Sequence, residues 1–293
     1  MSMPAFQGAE EPTCPKNTHT LNRDSSAFQA RMARLENRFP KRRENGYPEG
    51  MTLRPTHACQ HCTLRQLCLP MGLPQEELWQ LDEIVQQRRP IAKGSALFSM
   101  GAKFDTLFAV RTGALKTVLI ANDGTEQITG FALAGDLLGL DAIHSGKHPV
   151  SALALESTSV CAVPYTHVDD LAGRLPTFRQ HMMGVMSQEL SQDESLHALL
   201  GQRSAEQRLA TFLITLSERH RARGLAPDHF YLPMSRADIA NHLGLTQETI
   251  SRLFTQLRNQ GVINLHTRDL QILEPDTLRN TAGVTLTSAA SSA

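Results

Sequence analysis

Three cysteines stand within ten residues of one another in the stretch HACQHCTLRQLC: Cys59, Cys62 and Cys68. Only two other cysteines occur in the sequence, Cys14 and Cys161. The thiolate is the form of cysteine that binds metals, and thiolates held this close repel one another unless a cation lies between them. The spacing C-x2-C-x5-C therefore indicates a metal centre, provided that the thiols stay reduced.

The start of the chain indicates a reducing compartment. Its first residues, MSMPAFQGAEEPTCPKN, contain no basic segment followed by an apolar run, so they do not resemble a secretory signal. No window approaches the ~18 uninterrupted apolar residues that a membrane span needs. We therefore expect a cytoplasmic protein, and clustered cysteines there more often bind metal or carry out redox chemistry than form disulfides.

Several metal centres can be compared with the spacing. A c-type haem needs His directly after the second cysteine, where this chain has Thr63. Structural zinc usually uses two close pairs, although His57 and His61 could complete a mixed Cys/His site. An iron–sulfur cluster takes four thiolates, often three close in sequence and one distant. Cys161, in the predicted strand TSVCAVP, is then the obvious fourth ligand, although a strand cysteine is ordinarily an inert core thiol. The spacing favours iron–sulfur and leaves zinc open.

The N-terminal region is predicted to have little structure of its own. Residues 1–50 carry few aliphatic residues, and the run RMARLENRFPKRRENGYPEG is basic and interrupted by Pro and Gly. We interpret them as a disordered extension in which Cys14 is an idle thiol. Residues 51–72 form the segment that carries the cysteine cluster.

Residues 73–175 are predicted to form a β-roll sensor domain. It opens with the helical apolar spacing of Leu78, Leu81 and Val85. From Leu97 to Pro164 the chain alternates apolar and polar residues in short runs such as TLFAV, ALKTVLI and EQITGFAL, separated by turn signals. Strands spaced about ten residues apart in this way indicate a compact antiparallel sheet or roll.

A long helix is predicted over residues 176–201, with coiled-coil spacing along one seam. Two copies meeting along this seam would bring their Asp193 carboxylates together, and at ~4 Å with an effective dielectric of ~20 the repulsion is about 4 kcal/mol. The seam, which we interpret as a dimerisation surface, consists of Met183, Met186, Leu190, Asp193, His197 and Leu200.

Residues 202–275 contain the most specific functional pattern. After the helix SAEQRLATFLITLSERHRARG, Ser235 and Asp238 suit the start of a short helix, and Gly244 suits a tight turn after it. Thr246 is placed to cap a second helix, and VINLH-TRD-LQIL predicts a hairpin. This order predicts a winged helix-turn-helix that forms a small separate domain. Residues 276–293 are predicted to be a flexible tail.

The second helix of such a motif reads DNA with its first residues in the major groove. Arg grips guanine O6 and N7, Glu accepts a hydrogen bond from cytosine N4, and Ser serves either base, each at about 1–3 kcal/mol of discrimination. The equal numbers of basic and acidic residues, 29 of each, argue against indiscriminate coating of nucleic acid but allow a local reader. The predicted base-reading residues are Gln247, Glu248, Ser251 and Arg252.

Together, the cysteine cluster, the roll with ITGFALAGDLLG, the long helix and LGLTQETISRL resemble the oxygen-responsive fumarate–nitrate reduction regulators, which belong to the catabolite activator superfamily. The resemblance covers residues 55–275. It implies an α+β chain with a cyclic-nucleotide-binding-like β-roll, a dimerisation helix and a C-terminal winged helix-turn-helix. It also implies a homodimeric transcription regulator.

The resemblance implies specific roles for several residues. A [4Fe–4S] cluster would be held by Cys59, Cys62, Cys68 and Cys161, and dioxygen would convert and then destroy it. Glu248, Ser251 and Arg252 match the family's E-x-x-S-R signature, which reads a TTGAT-type half-site in an inverted repeat. Gly124, in the turn NDGTE, matches a loop that contacts RNA polymerase. Thr63 and Leu67 lie between ligands and are expected to line the approach of oxygen.

The nucleotide-binding branch of the same superfamily offers a competing interpretation. That branch has Glu after the glycine of its phosphate loop and an Arg-Ser pair for the phosphate. This chain has Leu140 after Gly139, and Pro149-Val150 before Ser151, with no Arg. A buried phosphate without a paired cation is costly, so no cyclic nucleotide is expected.

An iron–sulfur enzyme is the alternative from a different class. Radical enzymes that cleave S-adenosylmethionine typically show C-x3-C-x2-C, which this chain lacks, and no nucleophile–base pairing stands out. A DNA-reading motif would also be unexplained in an enzyme. We therefore expect a regulator and not an enzyme, with a zinc-containing regulator answering another signal as the remaining alternative.

Overall fold

The computed structural model describes residues 54–55, 59, 62–65, 67–70, 73–87 and 89–283. The predicted disordered extension, Cys14, His57 and His61 lie outside them, as do residues 284–293 of the predicted tail. The side chains of residues 192–202 are likewise outside the description, although their backbone is helical.

Two antiparallel sheets form the roll. One has the strand order β1-β2-β9-β4-β7 and the other β3-β8-β5-β6. Between them lies a cluster of buried side chains that includes Phe98, Phe108 and Leu115. The strands are β1 Arg54–Pro55, β2 Gln86–Gln87, β3 Ala96–Phe98, β4 Thr106–Thr112, β5 Ala114–Ile120, β6 Glu126–Leu133, β7 Leu137–Leu138, β8 Ser151–Ala154 and β9 Ser159–Pro164.

Helices flank the roll on the side of the cysteines. Helix α1 (Gln75–Ile84) buries Leu78 and Leu81, as its periodicity predicts. A single 3-10 turn, Leu140–Ala142, follows β7, and helix α2 (Tyr165–Arg174) follows β9.

Helix α3 (Pro176–Gln202) is one continuous helix of 27 residues, starting with proline at its first turn. Its first turns bury Phe178 and Met182 against α1 and the roll. Helix α4 (Ala205–Ala222) begins at Ser204, whose side chain and Gln207 form a capping box. Gly224 follows it with a positive φ.

The C-terminal part folds as predicted into two short helices and a wing. Helices α5 (Arg236–His242) and α6 (Gln247–Asn259) flank the turn at Gly244, whose φ is 63°. A three-stranded sheet of order β10-β12-β11 completes it, with β10 His229–Tyr231, β11 Ile263–His266 and β12 Asp269–Ile272. The α+β fold class is thereby confirmed.

The flexible tail predicted from residue 276 is wrong for its first residues. Helix α7 (Pro275–Ala282) buries Leu278 and Ala282, and the Arg203 guanidinium donates to the Ala282 carbonyl at 2.6 Å. Proline at its first turn and Gly283 after it, with φ 62°, mark its two ends. Packing on α4 stabilises a helix too short to persist alone.

The C-terminal domain packs directly on the roll, and the two share one hydrophobic cluster. Phe131 of β6 lies in one hydrophobic cluster with Phe212 of α4 and Ile239 of α5. The rings of Phe131 and Phe212 meet edge to face, with centroids 5.9 Å apart. No helix in the part of the chain that the structure describes is long and apolar enough to cross a membrane.

Candidate metal centre and nucleic-acid interface

The loop with the three clustered cysteines is wound in consecutive turns against α1 and the roll. The Cys62 amide donates to the Cys59 carbonyl at 3.3 Å, and the Arg65 amide donates to the Cys62 carbonyl at 3.1 Å. Cys59 is buried, and Cys62 and Cys68 are half-buried. Cys161 faces this loop from β9, where it pairs with Ala109 of β4.

The four predicted ligands are close enough to influence one another electrostatically. Burial, with smaller contributions from the nearby Cys161 and Cys62, raises the pKa of the Cys68 thiol to about 12. Burial also raises the pKa of Cys161. Arg111 partly offsets this rise, and Cys62 increases it. All four are free thiols. The set supplies four sulfur donors, which suits a soft metal or an iron–sulfur cluster.

The thiols converge but do not form a finished coordination shell. Among the residues that the structure describes, no three His, Cys, Asp or Glu side chains are grouped so as to hold a metal ion. Burial disfavours the charged thiolates, so each site needs compensation by a cation before its sulfurs can ionise. The four cysteines therefore fit a thiolate-bound group by their chemistry, as sulfur donors, although their side chains are not arranged around one.

A buried carboxylate on α1 fixes the first cysteine, and sequence reasoning missed it. Asp82 is only 3% exposed and accepts the Cys59 amide hydrogen at 2.7 Å. Burial, followed by the neighbouring Asp82 carboxylate, raises the pKa of the Cys59 thiol. The signal was present, because Asp82 stands on the apolar helix face between Leu78 and Val85.

The opposite end of the loop meets helix α3. Burial lowers the pKa of His181 on α3, and the nearby backbone of Cys68 partly offsets this shift. The cysteine loop thus lies next to two helices, close to buried Asp82 on α1 and half-buried His181 on α3. Nothing in the sequence around His181 marks this proximity.

A second set of contacts joins the roll to α4. A Cβ placed on Gly135 would come within 3.3 Å of the Leu67 Cβ, so the cysteine loop lies directly on this turn. The next residue, Asp136, forms ion pairs with both Arg219 and Arg223 of α4. The Arg223 side chain is only 9% exposed and also donates to the Ala134 carbonyl at 2.7 Å.

The two helices of the helix-turn-helix begin at local capping signals that the sequence predicts. The Ser235 hydroxyl accepts the Asp238 amide at 3.1 Å, and the Asp238 carboxylate accepts the Ser235 amide at 2.9 Å, which completes a capping box for α5. The Thr246 hydroxyl caps α6 by accepting the Thr249 amide at 3.2 Å.

Helix α6 divides cleanly into a packed face and a free face. Ile250, Leu253 and Leu257 are buried, as predicted. Arg252 and Thr255 are exposed on the other face. The Thr255 hydroxyl donates to the Ser251 carbonyl at 3.0 Å. The predicted base-reading residues all lie on this surface, with Ser251 half-buried and Gln247, Glu248 and Arg252 exposed.

The edge strand β6 holds α5 through its own backbone. The Asn241 side chain accepts the Ile128 amide at 2.6 Å and donates to the Glu126 carbonyl at 2.8 Å. Lys116 adds an ion pair to Asp238 at 2.6 Å. Burial would raise the pKa of Asp238, but the hydrogen bonds from Lys116 and Ser235 outweigh burial and hold it below its ordinary value.

Family comparison matches residues 207–281 to the Crp-like helix-turn-helix domain and residues 88–174 to the cyclic nucleotide-binding domain. The chain is 46% identical over 227 residues to the fumarate and nitrate reduction regulatory protein of Escherichia coli (strain K12), covering 78% of this chain and 91% of that one. It is 47% identical to the transcriptional activator protein Anr of Pseudomonas protegens, covering 77% and 92%.

Among solved structures, FixK2 from Bradyrhizobium japonicum superposes with a TM-score of 0.62 at 30% identity, covering 72% of this chain and all of that one. A CooA mutant from Carboxydothermus hydrogenoformans shares the fold with a TM-score of 0.57 at 19% identity. The chain belongs to the Crp/FNR family. It is a DNA-binding transcription regulator and not an enzyme, as the sequence predicted.

Proposed function

We propose that the chain is an oxygen-sensing global regulator whose DNA binding depends on a [4Fe–4S] cluster held by Cys59, Cys62, Cys68 and Cys161. The observation that carries the proposal is the position of Cys161, which a distant strand brings into electrostatic contact with the loop cysteines. An inert core thiol would have no reason to face three others. The relatives' names, which refer to fumarate and nitrate reduction, also support regulation in the absence of oxygen.

In this proposal the cluster supplies the oxygen-labile centre, and the chain's own residues hold and shield it. Asp82 fixes the backbone at Cys59, and the packing of Leu69 and Leu73 excludes water from the base of the loop. Thr63 is exposed and Leu67 half-buried, so the outer side of the loop is open to a small molecule. We keep both as the residues that line its approach.

Dimerisation is the step that we propose the cluster controls. The free side of α3 exposes Met183 and Leu190, whose side chains are 63% and 66% exposed. Together with half-buried Met186 they form the described part of the proposed seam, which continues to Asp193, His197 and Leu200. Repulsion between paired Asp193 carboxylates keeps the dimer weak, so Asp193→Ala is expected to favour the dimer in air.

Paired readers then bind an inverted repeat with half-sites about one helical turn apart. Arg252 is proposed to bind guanine, Glu248 cytosine, and Ser251 and Gln247 neighbouring positions of a TTGAT-type half-site. The turn at Gly124, whose neighbours are exposed, is the proposed contact for RNA polymerase.

A cyclic nucleotide is not the effector that we propose, although the roll matches a domain named for it. The interior is occupied by Phe98 and His148, whose rings stack with centroids 3.8 Å apart. Leu140 and Pro149 stand where a ribose acceptor and a phosphate-binding cation would be needed.

The test is purification of the full chain without oxygen, followed by exposure to air. The proposal predicts a brown protein that binds a palindromic TTGAT operator as a dimer and loses colour, dimerisation and binding together in air. A colourless, zinc-containing protein that binds the operator equally with and without oxygen would support the zinc-containing alternative and overturn the oxygen-sensing proposal.

A further inference from the structure

A short hinge joins the proposed dimerisation helix α3 to the C-terminal domain. Helix α3 ends at Gln202, Arg203 follows with extended backbone angles (φ −98°, ψ 146°), and α4 begins after Ser204. Helix α4 shares one hydrophobic core with both helices of the helix-turn-helix. The hinge therefore sets how the helix-turn-helix stands relative to α3, because a change of backbone angles in a few such residues reorients whole domains.

The guanidinium of Arg208 on α4 connects this hinge to the helix-turn-helix. Its Nε donates to the Arg203 carbonyl at 3.1 Å, and its Nη1 donates to the Leu243 carbonyl at 3.0 Å. Leu243 is the C-cap of α5, directly before the turn at Gly244. Carbonyls at the end of a helix have no partner within the helix. One planar, charged group thus holds two helix ends together at a fixed distance.

The side chain of Arg203 strengthens the same junction. Its Nη1 donates to the Thr211 hydroxyl at 3.1 Å and to the Ala282 carbonyl, at the end of α7, at 2.6 Å. Arg203 and Arg208 are both half-buried, so water competes only in part for these hydrogen bonds. The end of α3 is thereby attached both to the turn of the helix-turn-helix and to the last helix of the C-terminal domain.

The angle between α3 and the helix-turn-helix limits the operators that a dimer can bind. When two copies pair along α3, the distance and the rotation between their two α6 helices follow from the hinge. One additional base pair between the half-sites separates them by about 3.4 Å more and rotates them by roughly 35° about the DNA axis. A rigid hinge cannot follow this change, so one of the two α6 helices loses its base contacts.

We propose that Arg208, assisted by Arg203, is a positioning residue that determines which spacing of operator half-sites the dimer accepts. Arg208 acts by holding the helix-turn-helix at a fixed angle to α3, while α6 reads the bases of each half-site. The inference deepens the proposed function and rests on its homodimer that binds an inverted repeat.

The experiment measures, by fluorescence anisotropy, how tightly the full chain prepared without oxygen binds labelled duplexes. One series carries two TTGAT half-sites whose spacing differs by one base pair from duplex to duplex, and a further duplex carries a single half-site. Arg208→Ala removes both hydrogen bonds. Arg208→Lys keeps the charge but lacks the fork of donors that reaches two carbonyls. Arg221→Ala is the matched control, because Arg221 lies on the same helix in an exposed ion pair with Glu218.

The readout is the ratio of the affinity for the spacing that wild type prefers to the affinity for the spacing one base pair longer. We expect this ratio to fall about tenfold in Arg208→Ala, as suits the loss of hydrogen bonds from a charged group. Arg208→Lys should lose part of the ratio, and Arg221→Ala should keep it. All four proteins should bind the single half-site equally, because α6 is unchanged.

Circular dichroism checks that each variant is folded, and sedimentation velocity measures its dimerisation. Arg208→Lys carries the test by itself if the alanine variant does not fold. A wild-type ratio in a folded Arg208→Ala, or in Arg208→Lys when that variant carries the test, would overturn the inference. An equal loss of affinity for every duplex, the single half-site included, would also overturn it, because Arg208 would then support the fold of the helix-turn-helix and not its angle.

Weaker dimerisation that accounts for the changed ratio would count against the inference in the same way. The failure of the proposed function has a different signature. If wild type itself prefers no spacing, paired reading of an inverted repeat fails before any variant is compared.

Discussion

The recognition helix and the cysteine site are assembled in opposite ways. The proposed base-reading residues come from six consecutive positions of one helix, Gln247 to Arg252, and the cap of that helix lies directly before them. The cysteine site joins a loop, a distant strand and two helices. The comparison teaches that the proposed DNA-reading surface is set by contacts between near neighbours, whereas the proposed cysteine site depends on contacts between distant parts of the chain.

The largest effect is expected from a substitution that impairs only the proposed base contacts of helix α6. Arg252→Ala removes one bidentate base contact from each half-site, at about 1–3 kcal/mol each, so operator affinity should fall roughly a hundredfold or more. Because Arg252 packs against nothing in the core, cluster content and dimerisation should stay unchanged. Fluorescence anisotropy with labelled operator, measured without oxygen, checks the prediction.

Asn259→Ala is the control for this substitution, since Asn259 is exposed at the far end of the same helix. Equal operator affinity in both variants would show that the reader does not bind through the start of α6.

The ion pairs between the roll and α4 test whether contacts between distant residues stabilise the protein. Asp136→Asn leaves Arg219 and the nearly buried Arg223 without their shared anion, and we expect a loss of about 2–3 kcal/mol in the free energy of unfolding. Urea denaturation of DNA-free protein measures it.

Arg174→Ala removes an ion pair that is 58% and 63% exposed and should cost well under 1 kcal/mol. Were the two substitutions equally mild, Asp136 would not be a structural link between the domains.

A smaller effect is expected in the pH dependence of stability, which depends on a buried histidine inside the roll and not on the cysteine site. Burial lowers the pKa of His148 to about 4 from an ordinary 6.5, against a weak opposing effect of Asp105. Because the unfolded chain binds the proton more readily, this contribution to stability is present above about pH 6.5 and is lost as pH falls towards 4. Between pH 7 and 5 the loss is about 2 kcal/mol.

His148→Phe keeps the ring stacked on Phe98 and should flatten this dependence in thermal unfolding measured across the same range. The remaining slope belongs to other buried histidines such as His242, whose pKa burial also lowers. An unchanged slope would show that His148 is not buried in its neutral form.

The same contrast explains what the sequence could predict. Hydrophobic periodicity predicted strands β4, β5 and β6. The capping residues Ser235 and Thr246 and the turn residue Gly244 predicted the two helices of the helix-turn-helix. All of these signals act between near neighbours in the sequence. The first residues of the predicted tail form helix α7 because Leu278 packs on α4. The short sequence of α7 alone does not predict this contact.

Contacts between distant residues could not be predicted. His181 and Asp136 have ordinary surroundings in the sequence, and their partners are set only when the chain folds. Asp82 is the exception, because a carboxylate on the apolar face of a helix is costly to bury unless it accepts a hydrogen bond. The shared core of roll and reader was missed for the same reason, because each half has its own complete pattern.

The central claim is that Cys161 completes a cluster with the three loop cysteines and that this cluster controls operator binding. Cys161→Ser and Cys14→Ser, reconstituted without oxygen, test it with iron per chain and operator affinity as paired readouts. The account predicts that Cys161→Ser loses both, while Cys14→Ser retains both. Full iron content and undiminished operator affinity in Cys161→Ser would contradict it.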